Sequence, residues 1–375
     1  MYVARLGLRD FRSYASADIE LLPGVTLLIG RNGHGKTNLV EALVYIARQG
    51  SHRVAKDAPL IRAGTEQAII SVRVRWHDRE QAVELELNAG RPKRARVAGA
   101  ARRPREALGI LRAVVFAPED LALVKGDPAV RRAFLDDLVV ALAPRMAGVL
   151  ADYERIVRQR SALLKSVSGT WRRDDSFHST LDVWDEQLIS VGSEVAMARL
   201  RALDALASPL RDAYSAVAPG GGAAGCAYDS SWWSGATPTV ADLQQSLRKA
   251  LADRQRAELE RGLTLVGPQR DDVALAIGEL PAKGYASHGE SWSLALSLRL
   301  ATFELMRASF DTGGDPVLIL DDVFAELDAE RRQRLAELVV DAEQVIVTAA
   351  VADDVPDLLV GRTLQVTRDG VSHVA

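Results

Sequence analysis

The sequence predicts an α/β fold: a mostly parallel sheet with flanking helices, split by a compact, mainly helical lobe and carrying an antiparallel β layer. Three observations predict it. A glycine-rich run, GRNGHGKT at 30–37, follows an apolar strand pattern and precedes a helical one. A second apolar strand, VLILDD at 317–322, ends in two carboxylates, and the long stretch between the two is dominated by helical spacing. Lys36 and Asp321 stand 285 residues apart, so a lobe that uses both is interrupted by a large insertion.

Taken in order, YVARLGLRDF and ASADIEL read as strands, Pro23-Gly24 as a turn, and VTLLI as a strand running into Gly30. NLVEALVYIAR then places Leu39, Leu43 and Ile46 on one helical face. From 66 to 97, QAIISVRVRW, AVELELN, a turn at Ala89-Gly90 and RPKRARV form antiparallel strands. Helical spacing takes over from about 128 to 212, marked by Phe134, Leu135 and Leu138, by Tyr153, Ile156 and Val157, and by Trp184, Leu188, Val191 and Val195. Residues 219–238 read as a loop, and VADLQQSLRKALADRQRAELERG as helix again. TLVGPQRDDVALAI begins and ends strand-like around a polar turn. SHGESWSLALSLRLATFELMRASF is a capped helix with Leu294, Leu298, Ala301 and Leu305 on one face, stopped by DTGGDP. VLILDD, the helix DAERRQRLAELVV and the buried strand QVIVTAA complete the alternation. The expected division is 1–125 and 263–375 as the two halves of one lobe, with 126–262 as the inserted helical lobe.

Composition narrows the function. A length of 375 residues with 48% apolar content suits two domains with ordinary cores. The net charge of -3 means that any nucleic-acid surface is a local patch. The single cysteine, Cys226, excludes an internal disulfide and a cysteine metal cluster. No uncharged apolar run approaches 18 residues and no signal-peptide core opens the chain, so a soluble, cytoplasmic protein without a membrane partner is expected.

Gly30, Arg31, Asn32, Gly33, His34, Gly35, Lys36 and Thr37 fit G-x-x-x-x-G-K-[ST]. In that pattern backbone amides and a helix N-terminus cradle phosphates, the lysine neutralises the β and γ phosphates, and the threonine supplies a magnesium ligand. The bland alternative is a glycine turn that happens to fit. Asp321 and Asp322 emerge at a strand's C-terminal end, where open α/β sheets bind ligands. Asp321 would hold magnesium, and Asp322 would orient or deprotonate water; the alternative is turn or capping chemistry. The expected cofactors are ATP and Mg2+. Ser287, His288, Gly289 and Glu290 make a second anion-binding turn that would meet the γ-phosphate on another subunit, or a plain N-cap in which Ser287 or Ser291 caps the helix.

GRNGHGKTNLVEAL, SHGESWSLALSLRLA, LILDDVFAELD, DFRSY and GPQRDD together resemble the RecF family of bacterial DNA repair proteins, in matching order over essentially the whole chain. The resemblance implies an ABC-type P-loop ATPase head split by a helical lobe, an ATP-dependent homodimer on DNA, and work with RecO and RecR in loading RecA at single-strand gaps and junctions. It makes Ser287 to Glu290 the signature turn and Ala325, Glu326, Leu327 and Asp328 the loop lining the dimer seam. Aspartate at 322, where the usual ABC head has glutamate, and Thr348, where many transport ATPases have histidine, point to a slow ATPase acting as a switch. Ala325 replaces a common serine, removing one cross-subunit hydrogen bond.

For DNA, the stretch 91–105 offers Arg91, Lys93, Arg94, Arg96, Arg102, Arg103 and Arg105 without an acid, either a phosphate-binding surface or a solvated hairpin. Trp232 and Trp233 would stack on bases or pack locally, and Arg172-Arg173 has no assigned role. Two other readings of the whole chain are a chromosome-organising ATPase without RecA loading, and a transport ATPase subunit.

Overall fold

The computed structural model describes residues 1–167, 175–235, 237–309, 314–368 and 370–373. The Arg172-Arg173 pair and residues 311–313 of the expected helix stop lie outside them. In chain order the elements are β1 (Tyr2–Phe11), β2 (Tyr14–Glu20), β3 (Gly24–Ile29), α1 (Lys36–Arg48), β4 (Gln67–Trp76), β5 (Arg79–Asn88), β6 (Arg91–Val97), β7 (Ala100–Arg102) and β8 (Ala113–Phe116). Next come α2 (Leu121–Lys125), α3 (Pro128–Leu142), α4 (Met146–Val167), α5 (Asp175–Val217), β9 (Ala224–Asp229), α6 (Val240–Arg261), β10 (Asp272–Ile277), β11 (Leu280–Pro281) and α7 (Ala282–Tyr285). The last are α8 (His288–Ala308), β12 (Val317–Asp321), α9 (Ala329–Val339), β13 (Gln344–Ala349), β14 (Arg362–Thr367) and β15 (Gly370–His373).

The chain forms two compact units: Met1–Val124 with Pro209–Ala224 and Ala286–Ala375, and Lys125–Ser208 with Gly225–Tyr285. The first holds two six-stranded sheets. One is antiparallel in the order β2-β1-β4-β5-β6-β7; the other runs β15-β14-β3-β13-β12-β8, parallel except for β15. One core joins Val3, Leu6, Ile70 and Leu85 of the antiparallel sheet to Ile319 and Ile346 of the parallel one, with Leu39, Leu43 and Tyr45 of α1 between them. The stripe expected on α1 is therefore wider than its pattern suggested. Residues Leu39 to Ile46 are all buried, as befits a helix with a sheet on either side. α8 is likewise buried from Ser291 to Phe303, polar positions included.

The second unit has its own cores. Tyr153, Ile156, Leu188, Val195, Leu243 and Leu247 knit α4, α5 and α6 together, and Leu164, Phe177, Leu181 and Leu259 form a smaller cluster. Buried Arg160 ties three segments by bonding Asp185 (2.5 Å), Glu258 (2.7 Å) and Thr264 (3.1 Å).

Three expectations change. The 219–238 loop contains β9, which lies beside β10 in a small sheet with β11. Thr264 to Val266 is not a strand, because the Thr264 and Leu265 amides donate to Ser161 Oγ (3.2 Å) and Glu258 (2.7 Å) instead of to a neighbouring strand. Residues 263–285, expected with the first unit, pack within the second, while Pro209–Ala224 of the expected insertion cluster with the first. Among the described residues no helix is long and apolar enough to cross a membrane.

Candidate nucleotide-binding site

β3 delivers the glycine loop at the carboxyl edge of the parallel sheet, and the sheet order brings the carboxylate strand to it. β13 lies between β3 and β12, pairing Thr348 with Leu28 on one side and with Asp321 on the other. Residues from both ends of the chain thus meet within three adjacent strands.

Gly30 must be glycine because a Cβ there would sit 2.2 Å from the Val366 carbonyl oxygen. Gly35 takes φ +100°, and its Cβ would strike Tyr14 Oη at 2.9 Å and Ser13 Oγ at 3.0 Å. The DFRSY turn therefore packs against the glycine loop from below. Tyr14 Oη donates to the Gly35 carbonyl (3.3 Å), and Asn38 donates to Ser13 Oγ (2.9 Å). Arg12 grips Glu41 of α1 with two bonds of 2.8 and 2.7 Å. Burial works to raise the Glu41 carboxyl, but hydrogen bonds from Arg12 and Ser51 and the charges of Arg12 and Arg53 outweigh it and hold it below its ordinary range. Arg31 is exposed, and His34 Nδ1 lies 3.2 Å from the Val366 oxygen.

Lys36 is 3% exposed. Its ammonium donates to the Gly30 carbonyl (2.8 Å) and Asn32 Oδ1 (3.3 Å), and Asp322 Oδ1 is 4.0 Å away. A buried cation bonded to neutral acceptors is a site prepared for an anion. Asp321 shows the converse. Burial, helped by the charges of Asp322 and Glu119, pushes its carboxyl up to about 6, against hydrogen bonds from Thr348 and Thr37 that work to lower it. Asp321 and Thr37 together offer oxygen donors suited to a hard divalent cation that keeps several waters and phosphate oxygens. The site fits a nucleotide triphosphate with magnesium.

Three neighbours complete the site: Thr348, which the family resemblance singles out, and Glu119 and His52, which carry no sequence signal of their own. Thr348 donates from Oγ1 to Asp321 Oδ1 (2.7 Å) and accepts the Asp322 amide (2.9 Å), fixing one carboxylate and the backbone that carries the other; Asp322 itself sits at φ 51°. Glu119 adds negative charge beside Asp321. His52, in the bend after α1, has a side chain 8% exposed and Nε2 4.0 Å from Asp321 Oδ2. Neither ring nitrogen has a hydrogen-bond partner among the described residues, and burial pushes the imidazole down to about 4, so it is neutral at pH 7.

The SHGES turn behaves as an N-cap in this chain. Ser287 N–H donates to Glu290 (2.8 Å), Glu290 N–H donates to Ser287 Oγ (3.2 Å), and Ser291 Oγ bonds back to the Ser287 carbonyl (2.7 Å). Ser287, not Ser291, is the cap. Gly289 faces Arg331, and a Cβ at that glycine would sit 2.9 Å from Arg331 Nη2. Arg331 bonds Ser293 Oγ (3.0 Å) and pairs with Asp328 of the expected seam loop. Ala325 and Glu326 are exposed beside buried Leu327.

Along β6 the period of two separates Lys93 from Arg94 and Arg96. Arg91, Arg94, Arg96, Arg102, Arg103 and Arg105 are exposed. Lys93 points inward, bonding Tyr45 Oη (3.0 Å) and the Gln49 carbonyl (2.9 Å), so it leaves the expected surface. Arg94, Arg96 and Arg102 lie 3.8–4.0 Å from Glu86, Glu84 and Glu106. Beside them the sheet's outer face holds a groove of about 520 Å³ lined by Arg5, Arg9, Arg73 and Arg96 together with Asp18 and Glu84, which pair with Arg5 and Arg96. Trp232 is core: buried in the second unit, it donates to Asp271 (3.0 and 3.1 Å). Trp233 packs against the same cluster.

The family model of the RecF/RecN/SMC N terminal domain matches residues 2–366. A "DNA replication and repair protein RecF" of Streptomyces avermitilis is 55% identical over 378 residues, covering 100% of both chains. Its counterpart in Kineococcus radiotolerans is 52% identical over 374 residues and 96% of each chain. A solved structure of the recombination mediator protein RecF with ATP, in the RecFOR pathway, superimposes with TM-score 0.89 and 26% identity over 100% of this chain and 98% of that one. The Smc head domain of Pyrococcus furiosus with an extended coiled coil aligns over 100% and 96% with TM-score 0.55 and 17% identity, a likeness of fold.

Proposed function

The chain belongs to the RecF family within the RecF/RecN/SMC group, and from that premise we propose that it is an ATP-dependent DNA-binding protein of replication and repair. In this reading it closes as a homodimer over single-stranded or gapped DNA and acts with RecO and RecR in loading RecA. The observation that carries it is the convergence of Lys36, Asp321, Asp322 and Thr348 from opposite ends of the chain into one cluster.

The glycine loop and Lys36 bind the phosphates, while Thr37 and Asp321 hold the cation. Asp322, set by Thr348 through its own amide, orients or deprotonates the attacking water. When bound, the nucleotide supplies the anhydride bond whose slow cleavage resets the switch. The signature turn of one subunit meets the nucleotide of its partner. Six exposed arginines of the basic hairpin and the arginine-lined groove beside it bind DNA phosphates without reading sequence. The second unit's own packed cores favour this reading over a chromosome-organising protein built on a long coiled coil.

Sedimentation of the full chain with a labelled gapped duplex, with and without ATP and magnesium, tests the proposal. An ATP-dependent dimer that retains the duplex is expected, and Lys36→Met should abolish both. A chain that binds ATP yet stays monomeric and ignores DNA would remove the clamp.

A further inference from the structure

We propose that His52 is a positioning residue for the divalent cation that accompanies the nucleotide, its Nε2 acting on Asp321 Oδ2. The inference rests on the nucleotide reading above and goes beyond it in assigning a residue outside the phosphate loop and the carboxylate strand. A buried polar atom without a partner is uncommon and calls for a ligand, ion or water that completes it. His52 has two such atoms on one ring, and its Nε2 lies 4.0 Å from the carboxylate that would hold the cation.

The geometry explains what the imidazole does there. Asp321 Oδ1 is fixed by Thr348 at 2.7 Å, while Oδ2 faces His52 Nε2 at 4.0 Å, about 1 Å beyond a hydrogen bond. A small approach on loading makes that bond. With one oxygen tied to Thr348 and the other to His52, the carboxylate no longer rotates about its Cβ–Cγ bond, and its remaining lone pairs stay aimed at the cation. An imidazole with a proton on Nε2 supplies the one N–H this needs.

Magnesium titrations of a fluorescent ATP analogue bound to the full-length protein test the assignment, read as the Mg2+ concentration that gives half of the magnesium-dependent signal. His52→Asn, whose amide ends near the Nδ1 position, should raise that concentration about tenfold, whereas His52→Gln, whose amide reaches the Nε2 position, should stay within about twofold of the parent. In EDTA all three should bind the analogue alike. Equal midpoints for Asn and parent, equal losses for Asn and Gln, or a loss as large in EDTA as in magnesium would overturn the role. If His52→Asn yields no folded protein, His52→Phe keeps the ring's bulk without its nitrogens and carries the same expectation. A parent chain that shows no magnesium-dependent binding would remove the nucleotide reading together with this one. Normal parent binding with unaffected variants would remove this one alone.

Discussion

Asp321 in the first unit and Asp271 in the second share a titration shift, and each accepts side-chain hydrogen bonds, but only Asp321 also has two neighbouring like charges raising its carboxyl. Burial is the leading cause in both, and both carboxyls are pushed up to about 6. Asp271 is enclosed by donors. Tyr228 Oη reaches it at 2.6 Å, Trp232 Nε1 at 3.0 and 3.1 Å, and Ser230 adds a further hydrogen bond. Its own backbone carbonyl accepts Arg132 at 2.7 Å. Asp321 has like charges beside it, and one of its oxygens faces an imidazole without partners. A shifted carboxyl therefore does not by itself mark a site. The sign of function is bonding capacity left over after the fold has been satisfied.

The strongest way to break this comparison is to truncate both carboxylates. Asp271→Ala leaves the Trp232 and Tyr228 donors buried and unpaired and should cost about 3–4 kcal/mol in denaturant unfolding. Asp321→Ala, which removes a charge that Asp322 and Glu119 repel, should cost less than about 1 kcal/mol without nucleotide. Equal losses would mean that both residues are structural. Next in size is Lys36→Met, expected to weaken ATP binding about 100-fold, roughly 3 kcal/mol, with unchanged melting of the nucleotide-free protein; a fluorescent-analogue titration decides.

Acidity sharpens the contrast further. The folded Asp271 carboxyl, at about 6, lies above its ordinary value of 3.8. The fold therefore favours the protonated acid, a preference fully present below pH 3.8 and lost as pH rises through about 6. Relative to Asp271→Asn, the parent should lose roughly 2 kcal/mol between about pH 4 and 7. Urea unfolding across that range checks it, and a parent that gains on the variant with rising pH would reverse the assignment. The smallest effect belongs to Thr348→Val. Removing one hydroxyl from Asp321 and the Asp322 amide should slow ATP turnover about tenfold, near 1.4 kcal/mol, with binding almost unchanged.

Much of this architecture was legible along the chain. The glycine loop, the carboxylate strand and the antiparallel layer are written in local spacing, and the motifs together resemble the family to which the chain belongs. Features decided by sheet order were not legible. β8, with its sequence AVVF, and β14 and β15 carry too short a pattern to stand out, although they complete the parallel sheet. α1 and α8 read as one-sided helices because a stripe shows only the first surface a helix meets. The resemblance singles out Thr348 but not its bond to Asp321, and His52 lies in a polar bend and gains its meaning from Asp321, which is remote in sequence. Lys93 looked like its basic neighbours until strand alternation turned it inward.

The position of β3 has a consequence for synthesis. Its two partners, β13 and β14, begin at Gln344 and Arg362, more than 300 residues after β3 ends. At about 5–20 residues per second the ribosome needs roughly 15–60 seconds to supply them. Throughout that interval VTLLI has no partner on either edge, a segment prone to mispairing with other nascent chains. A message broken anywhere within the insertion yields a polypeptide with this adhesive segment and no carboxylate strand, so the phosphate pocket forms only on chains whose translation has passed both partners.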